Sequence, residues 1–138
     1  MSDTGINLSK NSACPCGTKQ KFVKCCGIYL KKKSLAPTAE KLMRSRYVAY
    51  QLKDESYLLN TWHSTTRPET LDLQDENVKW TGLEIIKTKA GMPNDTEGRV
   101  EFRARFQKNE QQSNLHENSR FLKENNQWFY LDGEISKE

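Results

Sequence analysis

The chain has 138 residues, of which 35% are hydrophobic and 29% charged, and its formal net charge is +4. This length predicts one domain, or one domain with a small appendage. The apolar runs are too short for a membrane-spanning helix, which needs about 20 mostly apolar residues. The first residues also lack the apolar stretch of a secretory signal, so we expect a cytoplasmic protein with no membrane partner.

The charge is unevenly distributed along the chain. Residues 1–35 hold seven Lys and one Asp, whereas residues 36–138 hold 15 basic and 17 acidic residues. Such asymmetry suggests that the basic segment meets an anionic partner. Two alternatives stay open, namely that these lysines serve solubility or that they neutralise a group bound nearby.

All four cysteines lie within 13 positions, at Cys14, Cys16, Cys25 and Cys26. A secreted disulfide scaffold would distribute its bridges over the whole fold, whereas a tight cluster in a reducing compartment is typical of metal-binding or redox sites. Zinc takes four tetrahedral thiolates at about 2.3 Å, and lysines inside the loop would offset their negative charge. We predict one structural Zn²⁺. A redox-active Cys25–Cys26 disulfide and an iron–sulfur cluster remain alternatives.

The first predicted elements surround the cysteines and follow them. Lys19–Lys24 is predicted to form a short helix with Thr18 as its cap, the second cysteine pair at its end and Gly27 as a left-handed residue after it. Ile28–Leu35 reads as a connector. A longer helix is predicted from Pro37 to about Leu52, because its apolar residues recur at helical spacing.

Two shorter helices are predicted next. Asp54 is a candidate N-cap for a helix through Trp62. Pro68 favours a third short helical piece or turn near Glu69–Asp75.

After Asn77 the apolar residues recur with a period of two, which predicts strands. The predicted strands are Val78–Thr88, Val100–Phe106, Asn114–Lys123 and Gln127–Leu131. Met92–Gly98 is predicted to be a loop, and Asn125-Asn126 a turn that joins the last two strands in a hairpin. Helices followed by an antiparallel meander predict an α+β fold.

Two parts of the sequence resemble known families. The run CPCGTKQKFVKCCG from Cys14 to Gly27 resembles the SEC-C motif, the zinc-binding knuckle at the C-terminus of SecA, although Thr18 departs from the usual Ser. In that motif the four cysteine positions are the metal ligands. The remainder resembles the YchJ-like family of small bacterial proteins, on the runs 36–40, 43–50, 61–68 and 115–121.

The resemblance implies a zinc knuckle with a basic connector over residues 1–35 and a nuclear transport factor 2-like (cystatin-like) domain over residues 36–138. That domain is a cone of helices packed on a curved antiparallel sheet, and cones of this type commonly hold a pocket.

The candidate pocket residues are His63, Arg67, His116 and Glu117. A histidine could act there as a general base, and Arg or Glu could orient it or a ligand. Alternation along the third strand directs Glu117 inward with Leu115 and turns His116 outward. His116 and Glu117 then cannot serve one pocket. The alternative is that all four make only structural hydrogen bonds. We name no catalytic residue.

We expect an adaptor whose zinc knuckle contacts a protein or ribosomal partner, since the SecA knuckle that it resembles contacts a chaperone and the ribosome. The alternatives are a small-molecule binder or enzyme that uses the cone, and a zinc store or thiol sensor. Specific nucleic-acid binding is disfavoured, because Glu97 and Glu101 lower the positive charge of the second strand that carries the clustered arginines. Whether the chain forms a homodimer is left open.

Overall fold

The computed structural model describes residues 12–73 and 78–136. The helical elements are a 3₁₀ turn at Phe22–Lys24 and the helices α1 (Cys26–Leu30), α2 (Ala39–Leu52) and α3 (Glu55–Asn60). Strands β1 (Val78–Ala90), β2 (Glu97–Lys108), β3 (Gln111–Glu124) and β4 (Gln127–Ser136) follow. They form one antiparallel sheet in the order β1-β2-β3-β4, which confirms the α+β prediction. Within the described ranges, no helix has the length and apolar character needed to cross a membrane.

Helix α2 ends at Leu52 as predicted and begins two residues later than predicted, at Ala39. The Thr38 hydroxyl accepts a hydrogen bond from the Lys41 N–H at 3.1 Å and satisfies one of the free N–H groups at the helix start. Lys53, with φ of 58°, ends the helix in the left-handed conformation. The buried face of α2, which includes Leu42, Met43 and Val48, belongs to the main hydrophobic cluster.

Helix α3 is shorter than predicted, and of the helical piece or turn predicted near Glu69–Asp75, the helical alternative is wrong for the residues that the structure describes. Asp54 caps α3 by accepting from the Tyr57 N–H at 3.1 Å, but the helix ends at Asn60 because Trp62 forms a parallel bridge to Tyr130 in β4. Residues 68–73 are not helical. Instead the Leu71 N–H donates to Glu55 at 3.0 Å. Residues 74 and 75 of that predicted helix lie outside the described ranges.

The sheet is curved by bulges, which bend a strand and increase its twist. The pairing shifts twice along β1, and once between Arg120 and Phe121 in the β3–β4 pair. Residues Val100, Phe102 and Ala104 are buried on the inner face, as the alternation predicts. The strands are longer than predicted, so Glu97 and Gly98 belong to β2 rather than to the loop. The predicted β3–β4 hairpin is confirmed.

The N-terminal segment shares its core with the body. Cys14, Cys16, Phe22 and Cys26 belong to the same hydrophobic cluster as α2 and the inner face of the sheet. The predicted boundary after Leu35 therefore separates two stretches of sequence that are packed together. This contact brings the cysteines next to the start of α2.

Candidate metal centre and interior cavity

A small hairpin positions the first cysteine pair. The Cys14 N–H donates to the Gln20 carbonyl at 2.7 Å, and the Phe22 N–H donates to the Ser12 carbonyl at 2.8 Å. Gly17 turns the chain with φ of +94°, a conformation that L side chains rarely adopt, so glycine suits this position. The turn holds Cys14 and Cys16 on one side of the hairpin, facing the second pair.

The second cysteine pair lies at a junction between two short helical elements rather than at the end of one helix. Only Phe22–Lys24 of the predicted helix is helical, and Cys26 starts α1. Gly27 therefore lies inside α1 and is not a left-handed terminus. It is tightly packed, because an added Cβ would lie 2.7 Å from the Phe22 carbonyl oxygen.

Thr18 does not cap a helix as predicted. Its hydroxyl accepts from the Gln20 N–H at 3.3 Å and lies 3.2 Å from the Cys25 sulfur. It therefore links the first turn of the knuckle to the second cysteine pair.

The four cysteine sulfurs come together as a set of potential metal ligands. Their Sγ atoms all lie within 4.8 Å of one another, no disulfide joins them, and Cys25 alone of the four is not buried. The sulfurs of Cys16 and Cys25 are 3.7 Å apart. In a tetrahedral site with metal–sulfur bonds of about 2.3 Å, neighbouring sulfurs are separated by roughly 3.8 Å. The cluster therefore has the composition and approximate spacing of a four-thiolate metal site.

The close packing of the buried thiols shifts their pKa values in opposite directions. A hydrogen bond with Cys16 and burial raise the pKa of Cys14 to about 12. Hydrogen bonds with Cys14 and Cys16 likewise raise the pKa of Cys26. The same contacts lower the pKa of Cys16, because its neighbours donate to its thiolate. A divalent cation that binds all four sulfurs would displace the protons that the thiols carry.

Arg44 on α2 connects the body to the knuckle, a contact for which the sequence contains no local signal. Its Nη1 donates to the Cys16 carbonyl at 2.7 Å, and its Nε donates to Glu40 at 2.9 Å. Burial opposes the charge of Arg44, but the hydrogen bond with Glu40 and the nearby Cys16 raise its pKa. A fixed cation therefore lies beside the cysteine cluster in addition to the predicted loop lysines.

A cleft of about 290 Å³ lies at this junction. It is lined by parts of the knuckle, by the first turns of α2 and by the end of β1. Its cationic side chains are Lys24, Lys41 and Arg44, with Glu40 beside them. The cleft is thus predominantly basic and adjoins the exposed side of the cysteine site.

A second cavity, of about 220 Å³, lies between α2 and the inner face of the sheet. Most of its wall is aromatic or aliphatic, and its charged residues are Arg46 and Glu117. The aromatic lining consists of Tyr47, Tyr50, Trp80, Phe102 and Tyr130.

Glu117 extends from β3 into this cavity. Its Oε2 accepts hydrogen bonds from the Ser119 hydroxyl at 2.7 Å and from the Tyr130 hydroxyl at 3.0 Å. Gly133 on β4 makes room for the carboxylate, because a Cβ at that position would collide with Glu117. Burial, together with the nearby charge of Glu117, raises the pKa of Tyr130, which keeps its hydroxyl a donor.

Arg46 brings a buried cation to the same cavity. Its Nη1 donates to the Leu58 carbonyl at 2.8 Å and to the Thr61 hydroxyl at 2.7 Å. Its guanidinium lies 5.1 Å from the ring centre of Trp62 and 4.7 Å from that of Tyr130. Burial lowers its pKa. One sequence signal indicates that Arg46 faces inward. It lies four residues from both Leu42 and Tyr50, and therefore on the same face of α2 as the apolar stripe.

Of the four predicted pocket residues, Glu117 lines the cavity and the other three lie elsewhere. His63 is buried between Thr65 at 2.7 Å and Glu124 at 2.8 Å. Arg67 is exposed and donates from Nε to the Trp62 carbonyl at 3.1 Å. His116 contacts Glu101 at 2.7 Å on the outer face of the sheet. The structure therefore does not bring the four candidates together, because β3 alternates between faces, as the sequence indicated for His116 and Glu117, and residues 63–67 fold back onto β4.

Comparisons with known proteins agree with this architecture. The family model described as the YchJ middle NTF2-like domain matches residues 38–133. A UPF0225 protein of Chromobacterium violaceum is 49% identical over 128 residues, covering 91% of this chain and 94% of the relative. A UPF0225 protein of Streptomyces coelicolor is 50% identical over 122 residues, covering 88% and 94%.

Two solved structures are similar along most of the chain. The solution structure of a SEC-C motif containing protein from Rhodopseudomonas palustris has a TM-score of 0.79 at 30% identity, covering 91% of this chain and all of that one. The crystal structure of a SEC-C motif containing protein from Psychrobacter arcticus has a TM-score of 0.71 at 27% identity, covering 94% and 85%. With a matching family model and close relatives over nearly its full length, the chain belongs to the YchJ-like (UPF0225) family.

Proposed function

We propose that this protein binds one Zn²⁺ through Cys14, Cys16, Cys25 and Cys26, and that the zinc knuckle is an interaction module for an anionic partner. The observation that carries the metal proposal is the approach of four unbridged sulfurs within 4.8 Å. Four thiolates in tetrahedral spacing favour zinc over harder cations, which prefer oxygen ligands. Such a site needs reduced cysteines, so we also propose a cytoplasmic location.

The proposed interaction surface is the basic exterior of the knuckle. This surface exposes six lysines. Among the described residues no ion pair to them occurs. They are Lys19, Lys21, Lys24, Lys31, Lys32 and Lys33. The basic cleft adjoins this surface. Because Arg44 already provides a cation beside Cys16, these lysines remain available to a partner. The resemblance to the SecA knuckle suggests a protein or a ribosomal surface as that partner.

Burial favours a structural metal over a stored or sensing one. Cys14, Cys16 and Cys26 are buried in the main hydrophobic cluster, so release of the metal would expose part of the core. A sensor would lose its metal under mild oxidant, whereas structural zinc peptides bind with apparent free energies of about 10–16 kcal/mol.

The test is native mass spectrometry of protein purified without chelator, followed by ribosome co-sedimentation and pull-down over a salt series. One Zn²⁺ per chain and salt-sensitive capture are expected, since contacts with anionic surfaces weaken as salt rises. Replacing Lys31, Lys32 and Lys33 together by Gln should reduce capture. The matched control replaces Lys79, Lys87 and Lys89, which are exposed on β1, by Gln and should not. Equal capture by both variants, or a metal-free native protein, would overturn the proposal.

A further inference from the structure

We propose that the cavity between α2 and the sheet binds a small organic molecule of zero net charge, with a flat, ring-sized body, one hydrogen-bond donor for Glu117 and one acceptor for Arg46. This site is separate from the cysteine cluster and does not depend on the proposed zinc function.

The first observation is an open acceptor on a buried carboxylate. Glu117 is only 9% exposed, and both of its hydrogen bonds fall on Oε2. Its Oε1 accepts none from the part of the chain that the structure describes, and it is not among the fully buried atoms that lack a partner, so it borders accessible space. A bound group that supplies an N–H or O–H could therefore reach this oxygen and would form a charge-assisted hydrogen bond there.

The second observation is a buried cation that borders the same cavity but does not contact Glu117. The Nη1 atom of Arg46 is occupied by Leu58 and Thr61, and within residues 12–73 and 78–136 no ion pair joins Arg46 to Glu117. The two opposite charges balance each other across the cavity, so a charged ligand would leave one charge in excess. A neutral ligand with a donor at one end and an acceptor at the other would satisfy both.

The third observation is the size and lining of the space. The volume of about 220 Å³ exceeds that of an engineered apolar cavity of about 150 Å³ that binds benzene. Aromatic side chains from α2, β1, β2 and β4 contribute to the wall, and such rings favour offset or edge contacts with a flat body. Tyr50 and Trp80 are half-buried, whereas Phe102 and Ala104 are buried, so the former pair lies toward the mouth.

The test compares four single-ring compounds that differ in charge and hydrogen bonding, namely toluene, benzylamine, benzoate and benzamide. Binding is measured on the intact protein by titration in ¹H–¹⁵N spectra, with the Trp80 indole as the local probe. Benzamide supplies both a donor and an acceptor without net charge, and we expect it to bind about tenfold tighter than each of the others. Tighter binding of benzylamine or benzoate, equal affinities for all four, or a cavity that admits only water would overturn the proposal.

Substitution of Glu117 tests the orientation of the ligand. In Glu117→Gln the amide oxygen can still accept from Ser119 and Tyr130, while the amide nitrogen replaces the open acceptor. Benzamide should then lose about tenfold in affinity and benzoate should gain, because Arg46 is no longer balanced. The matched control is Glu101→Gln, which makes the same change on the outer face of the sheet and should leave both affinities unchanged.

Unchanged benzamide affinity in Glu117→Gln would contradict the role of Glu117 as the acceptor for the ligand's donor. If that variant fails to fold, as judged from its spectrum, the ranking of the four compounds on the native protein decides the question alone. Ala104→Leu is a second variant, which adds volume to the wall and should weaken binding of every compound that enters the cavity.

Discussion

The cysteine cluster and the interior cavity are built in opposite ways. The cluster takes its four sulfurs from 13 consecutive positions held by a small hairpin and two short helical elements. The cavity takes Arg46 from α2 and Glu117 from β3, with a wall drawn from all four strands. The proposed metal would supply much of the order of the local site, whereas the cavity depends on the packing of the body. Perturbing one should therefore affect the other only through their shared core.

The largest effect is expected from loss of the metal site. Cys16→Ser, or removal of metal by a chelator, should abolish hydrogen-exchange protection in residues 12–30, since the folding energy of small zinc modules is largely metal-binding energy. The strands should remain protected with a lower Tm, because Cys16 and Phe22 contribute to the core. Residue-resolved exchange measures both regions at once. Thr18→Ser, which keeps the hydroxyl beside Cys25, is the control and should retain protection.

The complementary change in the body is Arg46→Met. It removes the donor for the Leu58 carbonyl and Thr61, and it leaves Glu117 buried without a balancing cation. Breaking a buried charge arrangement of this kind costs about 3–5 kcal/mol in the free energy of unfolding, measured by urea denaturation. The control is Arg99→Met, which removes the same charge from an exposed position on β2. It should change the free energy of unfolding little. If the two variants are equally stable, the buried guanidinium does not support the fold as described.

Gly133→Ala is expected to act more weakly and locally on the cavity. The new Cβ would collide with Glu117, so the carboxylate has to move away from Ser119 and Tyr130. Overpacking of this kind costs about 1–3 kcal/mol in the free energy of unfolding. Gly82→Ala on β1 is the matched control, because nothing lies within 4 Å of its added Cβ. Thermal unfolding of the two variants distinguishes the collision from a general effect of losing glycine in a strand.

The contrast between the two sites also explains what the sequence could predict. The grouping of the four cysteines, the cap at Asp54 and the Asn-Asn turn of the β3–β4 hairpin are local signals, and the structure bears out each of them, although the helix after Asp54 is shorter than predicted. The cavity residues are spread over about 90 positions, from Met43 to Tyr130. Alternation directed Glu117 inward, but the contacts of His63 with Glu124, and of Arg44 with Cys16, arise only from tertiary packing.

Arg44 is the contact through which the two regions should communicate, and its replacement is expected to have the smallest effect on stability. Arg44→Met removes the hydrogen bond to the Cys16 carbonyl, a loss of about 1 kcal/mol. Outer groups that orient metal ligands influence affinity more strongly, so we expect Zn²⁺ affinity to fall about tenfold in competition with a chromophoric chelator. Lys41→Met removes a charge from the same cleft without touching Cys16, and it should leave affinity near that of the native protein. Equal losses of Zn²⁺ affinity in both variants would mean that Arg44 acts through its charge alone. A loss of Zn²⁺ affinity confined to Arg44→Met would mean that α2 holds the first cysteine pair in position for the metal.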